Sequence, residues 1–237
     1  MKKLLFLAAF AAFTIHGIAQ DTLTLANYKT PLKEGYWLSA SEIIFSWGNV
    51  EAPGLNTSPV VRFSAFFHLG QQFHYDFSKN AGFYTGLSVR NIGMINDLND
   101  SVRVKQRVYT LGVPVAFKFG NMQGTNVAIG AEAEFAFAFK QKVFTNGEKA
   151  KTTEWFSDRT NIFLPSVFAE IRTKHGGYIR FKYYLTDFLQ EGNQKVNVPN
   201  LTYRPSKSEL FAVSLGFAID SKKNELYKEE MKKHMKR

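Results

Sequence analysis

Residues 127–142 alternate between apolar side chains at odd positions and small or charged side chains at most even positions. Successive side chains of a β-strand point to opposite faces, so this segment would have one apolar face and one polar face. A typical globular strand has about five or six residues, whereas a tilted strand needs about 9–11 to cross a bilayer. The segment therefore predicts a membrane-spanning strand. Its apolar positions are Val127, Ile129, Ala131, Ala133, Phe135, Phe137 and Phe139, and its charged positions are Glu132, Glu134, Lys140 and Lys142.

Seven further segments repeat this pattern, so the chain is predicted to be all-β, an eight-stranded antiparallel up-and-down transmembrane β-barrel. Short turns and longer polar loops alternate, as in outer-membrane barrels whose chain ends both lie in the periplasm. Pro114 cannot donate a ladder hydrogen bond, so a break or bulge is expected there, and another after Asn91. The predicted strands are 36–48, 59–77, 82–95, 102–119, 127–142, 160–173, 177–189 and 208–219, and the long loops include 145–158 and 190–206.

The N-terminus has the features of a secretory signal peptide. Lys2 and Lys3 precede an apolar stretch from Leu4 to Ile15, and Gly17 and Ala19 are small residues before a cleavage point. We therefore expect four parts along the chain. These are a signal peptide at 1–19, a periplasmic segment at 20–35, the barrel at 36–219, and a basic periplasmic tail at 220–237 that could form a helix.

Composition agrees with a barrel and argues against disulfides, thiolate metal sites and a nucleic-acid partner. The 23 phenylalanines supply an apolar surface, and the absence of cysteine removes disulfides and thiolate metal sites. The formal net charge of +10 is spread over strands and tail. Because an exported protein rarely meets nucleic acid, we expect no nucleic-acid partner.

The alternation does not by itself say which face points inward, since a soluble lipocalin-like barrel places its apolar face inside. Here the polar face is rich in Gly and Ala, which suits a crowded lumen, and its charges have both signs, as buried charges require. Aromatic residues also collect near strand ends, where membrane girdles would lie. We therefore place the polar face inside. The predicted lumen charge network is Glu42, Arg62, Arg90, Lys118, Glu132, Glu134, Glu170, Arg172, Arg180 and Lys182.

Two polar histidines raise the alternative of a lipid-modifying enzyme. His68, His74 and Asp76 share a face with Ser64, but in a regular strand Ser64 and His68 stand more than about 10 Å apart, at about 3.3 Å per residue. A nucleophile and its base must be within hydrogen-bond reach. The sequence thus indicates no catalytic, cofactor or metal site. An open pore is also disfavoured, because side chains fill an eight-stranded lumen.

The chain resembles the outer-membrane β-barrel domain family of the Bacteroidetes type, often labelled PorT-like. The resemblance lies in Ile18–Gln20, in the stretch Val108–Phe119 with its central proline, and in the Gly-Ala-Glu strand that follows. It implies an outer-membrane barrel over about residues 36–219, and PorT itself is associated with secretion and gliding machinery.

The predicted function is a non-enzymatic protein of the bacterial outer membrane that acts as an anchor, scaffold or adhesion protein. The alternatives are a component of an export or gliding complex and, with less support, a lipid-modifying enzyme. The expected partners are outer-membrane lipid and a periplasmic or secretion-machinery protein. The tail carries Tyr227, Met231 and Met235 at helical spacing, which would suit a periplasmic contact.

Overall fold

A computed structural model describes residues 32–192, 194, 196, 198, 199 and 201–220. The predicted signal peptide, most of the predicted periplasmic segment and the tail beyond residue 220 lie outside the described residues. No helix in the described part of the chain is long and apolar enough to cross a membrane.

The described secondary structure consists of β-strands joined by turns and loops. Its elements in chain order are β1 (Gly35–Glu51), β2 (Ser58–Val60), β3 (Arg62–Ser64), β4 (Leu69–Asp76), β5 (Ala81–Asn99), β6 (Val102–Gly120), β7 (Asn126–Thr145), β8 (Glu148–Trp155), β9 (Phe163–Arg172), β10 (Gly177–Tyr184) and β11 (Lys207–Asp220).

These strands form a closed ring with eight positions, which confirms the predicted fold class. Strands β2, β3 and β4 together make the second position, and β8 continues the line of β9 at the sixth. Neighbouring strands pair antiparallel, and β11 pairs back to β1 to close the sheet. Closure removes the free sheet edges that a bilayer would not tolerate.

The outward side chains form an apolar band of membrane height. On β6 the outward residues from Tyr109 to Phe119 are apolar, and the inward residues between them are small or polar. Ten residues of a strand tilted by about 40° rise about 25 Å, the height of the apolar band of outer-membrane barrels. Aromatic side chains line both edges of the band, including Trp37, Phe73, Phe77, Phe83, Phe117 and Phe119 at one edge and Phe63, Tyr109, Phe135, Trp155 and Phe163 at the other.

The second ring position is interrupted, so the prediction of one long strand over 59–77 is wrong in its middle. Between Val60 and Leu69 the chain has eight residues, where the paired strand has only five between Val89 and Ile95. The excess residues leave the ladder, and Phe67 takes a positive φ of 65°. A regular strand over 59–77 would place Phe66 on the inward face with Arg62, but Phe66 points outward and is 76% exposed.

A bulge in β7 reverses its alternation. Tyr109 pairs with Ala138 and the next residue of β6, Thr110, pairs with Ala136, so Phe137 is the extra residue. Beyond this bulge the inward side chain is Phe139, which is 1% exposed. The prediction of one unbroken alternation over 127–142 is therefore wrong beyond Phe137.

The structure differs from two local predictions. At Pro114 the pairing of β6 with β7 continues without a register shift. On its other side β6 loses only the pairs of Val113 and Pro114 with β5, because proline has no N–H to donate to that strand. The loop predicted at 145–158 is instead a hairpin in which β7 turns at Asn146 and Gly147 into β8.

The extracellular ends of the strands form a second core inside the barrel. Here most inward side chains are apolar, with a few buried amides such as Gln106 and Gln141 among them, in contrast to the charged inward face at membrane height. Its buried members include Ile44, Ile92, Met94, Leu98, Val104, Val108, Phe139, Val143, Leu164 and Leu210. Above the bilayer the barrel exterior meets water, so the apolar side chains turn inward as in a soluble protein.

Candidate functional site

Charged side chains from opposite walls meet at the centre of the lumen. Arg90 Nε lies 2.5 Å from a Glu42 carboxylate oxygen, and Arg90 Nη1 also donates to Glu132. Lys182 Nζ donates to Glu132 and to Glu134, each at 2.6 Å. The chain of ion pairs therefore joins β1, β5, β7 and β10 across the interior.

A second group of ion pairs lies nearer the periplasmic end. Glu170 accepts hydrogen bonds from Arg172 Nη2 at 2.7 Å and from Arg180 Nη2 at 2.6 Å. Arg180 Nη1 also lies 3.8 Å from Glu42, which links this group to the central one. Tyr84 donates to Glu170 at 3.4 Å. The guanidinium of Arg180 is fully buried, so its charge depends on these partners.

The periplasmic end of the lumen has its own pair. Lys118 Nζ donates to Asp76 and lies 3.1 Å from the Tyr36 hydroxyl and 3.1 Å from His74 Nδ1. Tyr36 in turn donates to Asp76 at 2.9 Å. Asp76 was absent from the predicted network, although its inward position in the alternation could have indicated it.

Nine of the ten predicted lumen residues take part in these buried ion pairs. When Asp76 is added to the nine, the network contains five carboxylates and five basic side chains. The exception is Arg62. It lies at the interrupted second ring position, where it donates to Asn91 Oδ1 at 2.7 Å and to the Asn91 carbonyl oxygen at 3.1 Å. Within the described residues Arg62 forms no salt bridge.

The strand interruption brings Ser64 and His68 together, so the predicted separation of these side chains is wrong. His68 Nε2 lies 2.8 Å from Ser64 Oγ. The backbone N–H of Asn91 donates to His68 Nδ1 at 3.2 Å, so that nitrogen is the acceptor and the proton of a neutral ring is on Nε2. Nε2 then donates to the serine and cannot take its proton, which a serine nucleophile requires. The pair is a structural hydrogen bond.

The described residues of the connection after β10 fold back into the extracellular mouth. Phe188, Leu189, Val196 and Tyr203 are buried against the apolar core at that end. Gln194 is held by polar contacts, since its carbonyl oxygen accepts from Gln141 at 3.2 Å. The sequence predicted a strand to residue 189 and a polar loop over 190–206, but the strand β10 ends at Tyr184. The signal for the fold-back in the sequence is the set of apolar residues at 196, 198, 201 and 203.

The lumen therefore contains an ionic layer at membrane height and a mainly apolar layer above it. Histidine and carboxylate side chains in the described part of the chain form no group of three suited to a metal ion. Paired charges of this kind fix the strands relative to one another. The pairing is incomplete at Arg172 and Arg180, where the Nη1 atom of each is buried without a hydrogen-bond partner among the described residues. The strand pairing, the apolar exterior and the occupied interior define a transmembrane β-barrel with a filled lumen.

No protein-family model and no curated protein matches the chain. Among solved structures, similarity is found to the attachment invasion locus protein Ail of Yersinia pestis, with 10% identity, 78% of this chain and 99% of that chain covered, and a TM-score of 0.35. Neisserial surface protein A matches with 10% identity, coverage of 78% and 98%, and a TM-score of 0.40. The outer membrane protein OprG from Pseudomonas aeruginosa matches with 9% identity, coverage of 78% and 95%, and a TM-score of 0.36. The fold assignment rests on the strand pairings.

Proposed function

We propose that the protein is a non-enzymatic barrel of the bacterial outer membrane, which anchors and presents an extracellular surface and does not conduct solutes. The observation that carries this proposal is the interior. Glu132, Glu134, Arg180 and Lys182 are all at most 3% exposed, and their partners come from opposite walls. Eight strands leave an interior that side chains fill.

The barrel is also extended beyond the bilayer. Strands β5, β6 and β7 continue past the aromatic residues at the upper edge of the apolar band, and β7 and β8 form a hairpin there. An ordered extension with its own apolar core is a rigid platform for contacts. This supports a role as an anchor or scaffold for an extracellular partner. The PorT-like resemblance, and with it a role in an export or gliding complex, stays a prediction.

Insertion and conductance together test the proposal. The purified full chain should migrate faster on a gel before heating than after, and in vesicles it should resist protease except at exposed loops. The same preparation should give no stable single-channel steps in a planar bilayer. A chain that stays soluble without detergent would refute the membrane assignment, and large steady conductance steps would refute the closed lumen.

A further inference from the structure

Basic side chains form a ladder on the outside of the barrel, immediately above its apolar band. Arg107 pairs with Lys140 across β6 and β7, and Lys105 pairs with Lys142. Lys142 in turn pairs with Lys151 on β8. The ladder is made of Lys105, Arg107, Lys140, Lys142, Lys149 and Lys151, with the last two on β8.

The basic ladder faces sideways, toward the surrounding membrane. Arg107 lies two positions above Tyr109 on the same outward face, and its guanidinium stands 5.6 Å from the centre of the Tyr109 ring. Lys105 Nζ lies 5.0 Å from the Phe144 ring on this face. Tyr109 marks the edge of the apolar band, so the charges lie at the height where lipid headgroups begin.

Like charges directly opposite one another destabilise a sheet. No salt bridge among the described residues involves a member of the basic ladder. Two of the nearby acids pair with other bases, since Asp97 binds Arg103 and Glu154 binds Arg159. Partial burial and then the charges of Arg107 and Lys149 lower the pKa of Lys142. The ladder therefore has unbalanced positive charge that an external anion would relieve.

A groove adjoins the basic ladder where the second ring position is interrupted. It has a volume of about 390 Å³ and brings four of the ladder residues next to aromatic side chains. Phe66 and Phe67 project from the interruption, 76% and 64% exposed, and Phe67 meets the edge of Tyr109 at 5.8 Å between ring centres. The groove is therefore cationic on one side and aromatic on the other.

We propose that the basic ladder and this groove bind a phosphorylated lipid of the outer leaflet, with its phosphates on Lys105, Arg107, Lys140 and Lys142 and an acyl chain against Phe66 and Phe67. The assignment follows from position and charge. A phosphorylated lipid has anionic groups at headgroup height and hydrocarbon below them. The barrel has cations at the first height and aromatic rings at the second, so each part of the lipid meets a matching surface. This inference rests on the proposed membrane insertion.

Binding of a diphosphorylated lipid A by the detergent-solubilised full chain tests the proposal, with native mass spectrometry as the measurement. We expect a stoichiometric complex with the wild type. Changing all four phosphate-site residues to glutamine should weaken it by roughly tenfold or more, because each basic residue near an anionic surface adds attraction. Dephosphorylated lipid should bind the wild type as weakly as the phosphorylated lipid binds this variant.

The matched control removes the same charge from exposed sites outside the basic ladder. It changes Lys33, Lys79, Lys174 and Arg204 to glutamine and should bind lipid A as the wild type does. A second variant, Phe66→Ser with Phe67→Ser, keeps the cations and should lose affinity for the lipid but not for inorganic polyphosphate.

Three results would overturn the proposal: equal lipid binding by the ladder variant and the wild type, equal loss in the control, or polyphosphate that competes fully with the lipid. The last would identify a soluble polyanion as the ligand. Heat-modifiable migration of every variant is measured in parallel. A wild type that inserts without binding lipid refutes only this inference, whereas a wild type that does not insert refutes the proposed function.

Discussion

Replacing Glu170 by glutamine removes one buried charge from the lumen without changing its volume. Glu170 is 1% exposed and accepts hydrogen bonds from Arg172 and Arg180. After the change Arg180 still has Glu42 at 3.8 Å, but Arg172 has no carboxylate partner among the described residues. The mutation thus leaves one guanidinium buried and uncompensated.

The expected cost follows from this orphaned charge. Breaking a buried ion pair by removing one partner costs roughly 3–5 kcal/mol, whereas an exposed pair contributes about 0–1 kcal/mol. The first range lowers the folding equilibrium constant by about two to four orders of magnitude. Glu134→Gln should cost less, about 1–3 kcal/mol, because Lys182 keeps Glu132 and the main loss is an acceptor for Thr110 and Tyr184.

Urea-induced unfolding in lipid vesicles, followed by tryptophan fluorescence, measures these differences. The matched control is Glu148→Gln on the exposed β7–β8 hairpin, which should stay within about 0.5 kcal/mol of the wild type. Adding Arg172→Met to Glu170→Gln removes the orphaned charge and should restore part of the lost stability. If Glu170→Gln unfolds at the same urea concentration as Glu148→Gln, the lumen charges are hydrated and the filled interior is wrong.

Three further predictions concern the edges of the barrel. Deleting Phe137 removes the bulge but leaves Phe139 paired with Val108, so Phe139 stays inward and the yield of the heat-modifiable folded form on a gel should hold. Phe139→Lys instead buries a charge in the apolar core at that height and should lower the yield. Deleting residues 222–237 should leave a folded, inserted barrel, because the last strand ends before them, and failure to refold in detergent would show that the tail is structural. A hydrogen bond from Arg103 lowers the pKa of Asp97, so this carboxylate should contribute stability above its unfolded pKa and lose it as the pH falls through its folded pKa. By urea unfolding, Asp97→Asn should cost under about 1 kcal/mol at pH 7 and progressively less as the pH falls below about 4, the unfolded pKa of Asp.

The membrane-spanning part could be predicted from the sequence because its pattern has one cause. Lipid outside and a narrow lumen inside impose the same alternation on every strand, so Ile129 and Glu132 already indicate their faces. The bounds of β6, the start of β7 and the turn between them followed from the same pattern to within one residue. Inward charges of both signs could also be recognised, since a buried charge needs a partner.

The failures of prediction have a different cause, which is the loss of a fixed strand period. At Phe67 and Phe137 extra residues shift the phase, and a two-residue repeat cannot show where one is inserted. The proximity of Ser64 and His68 depends on the first of these shifts. Pairing across the lumen, as between Glu42 and Arg90, joins residues distant in sequence and needs the closed ring to be known.

The β7 bulge lies at the height where the surroundings of the barrel change from lipid to water, and this change explains what the bulge achieves. Below Phe137 the outward side must be apolar because lipid surrounds it, and the inward side carries Glu132 and Glu134. Above it water surrounds the strand, so burying apolar area inside becomes favourable. One extra residue exchanges the two faces at that height, placing Phe139 inside and Lys140 outside. The same step that creates the extracellular core therefore places the lysines of β7 where they can meet anionic headgroups.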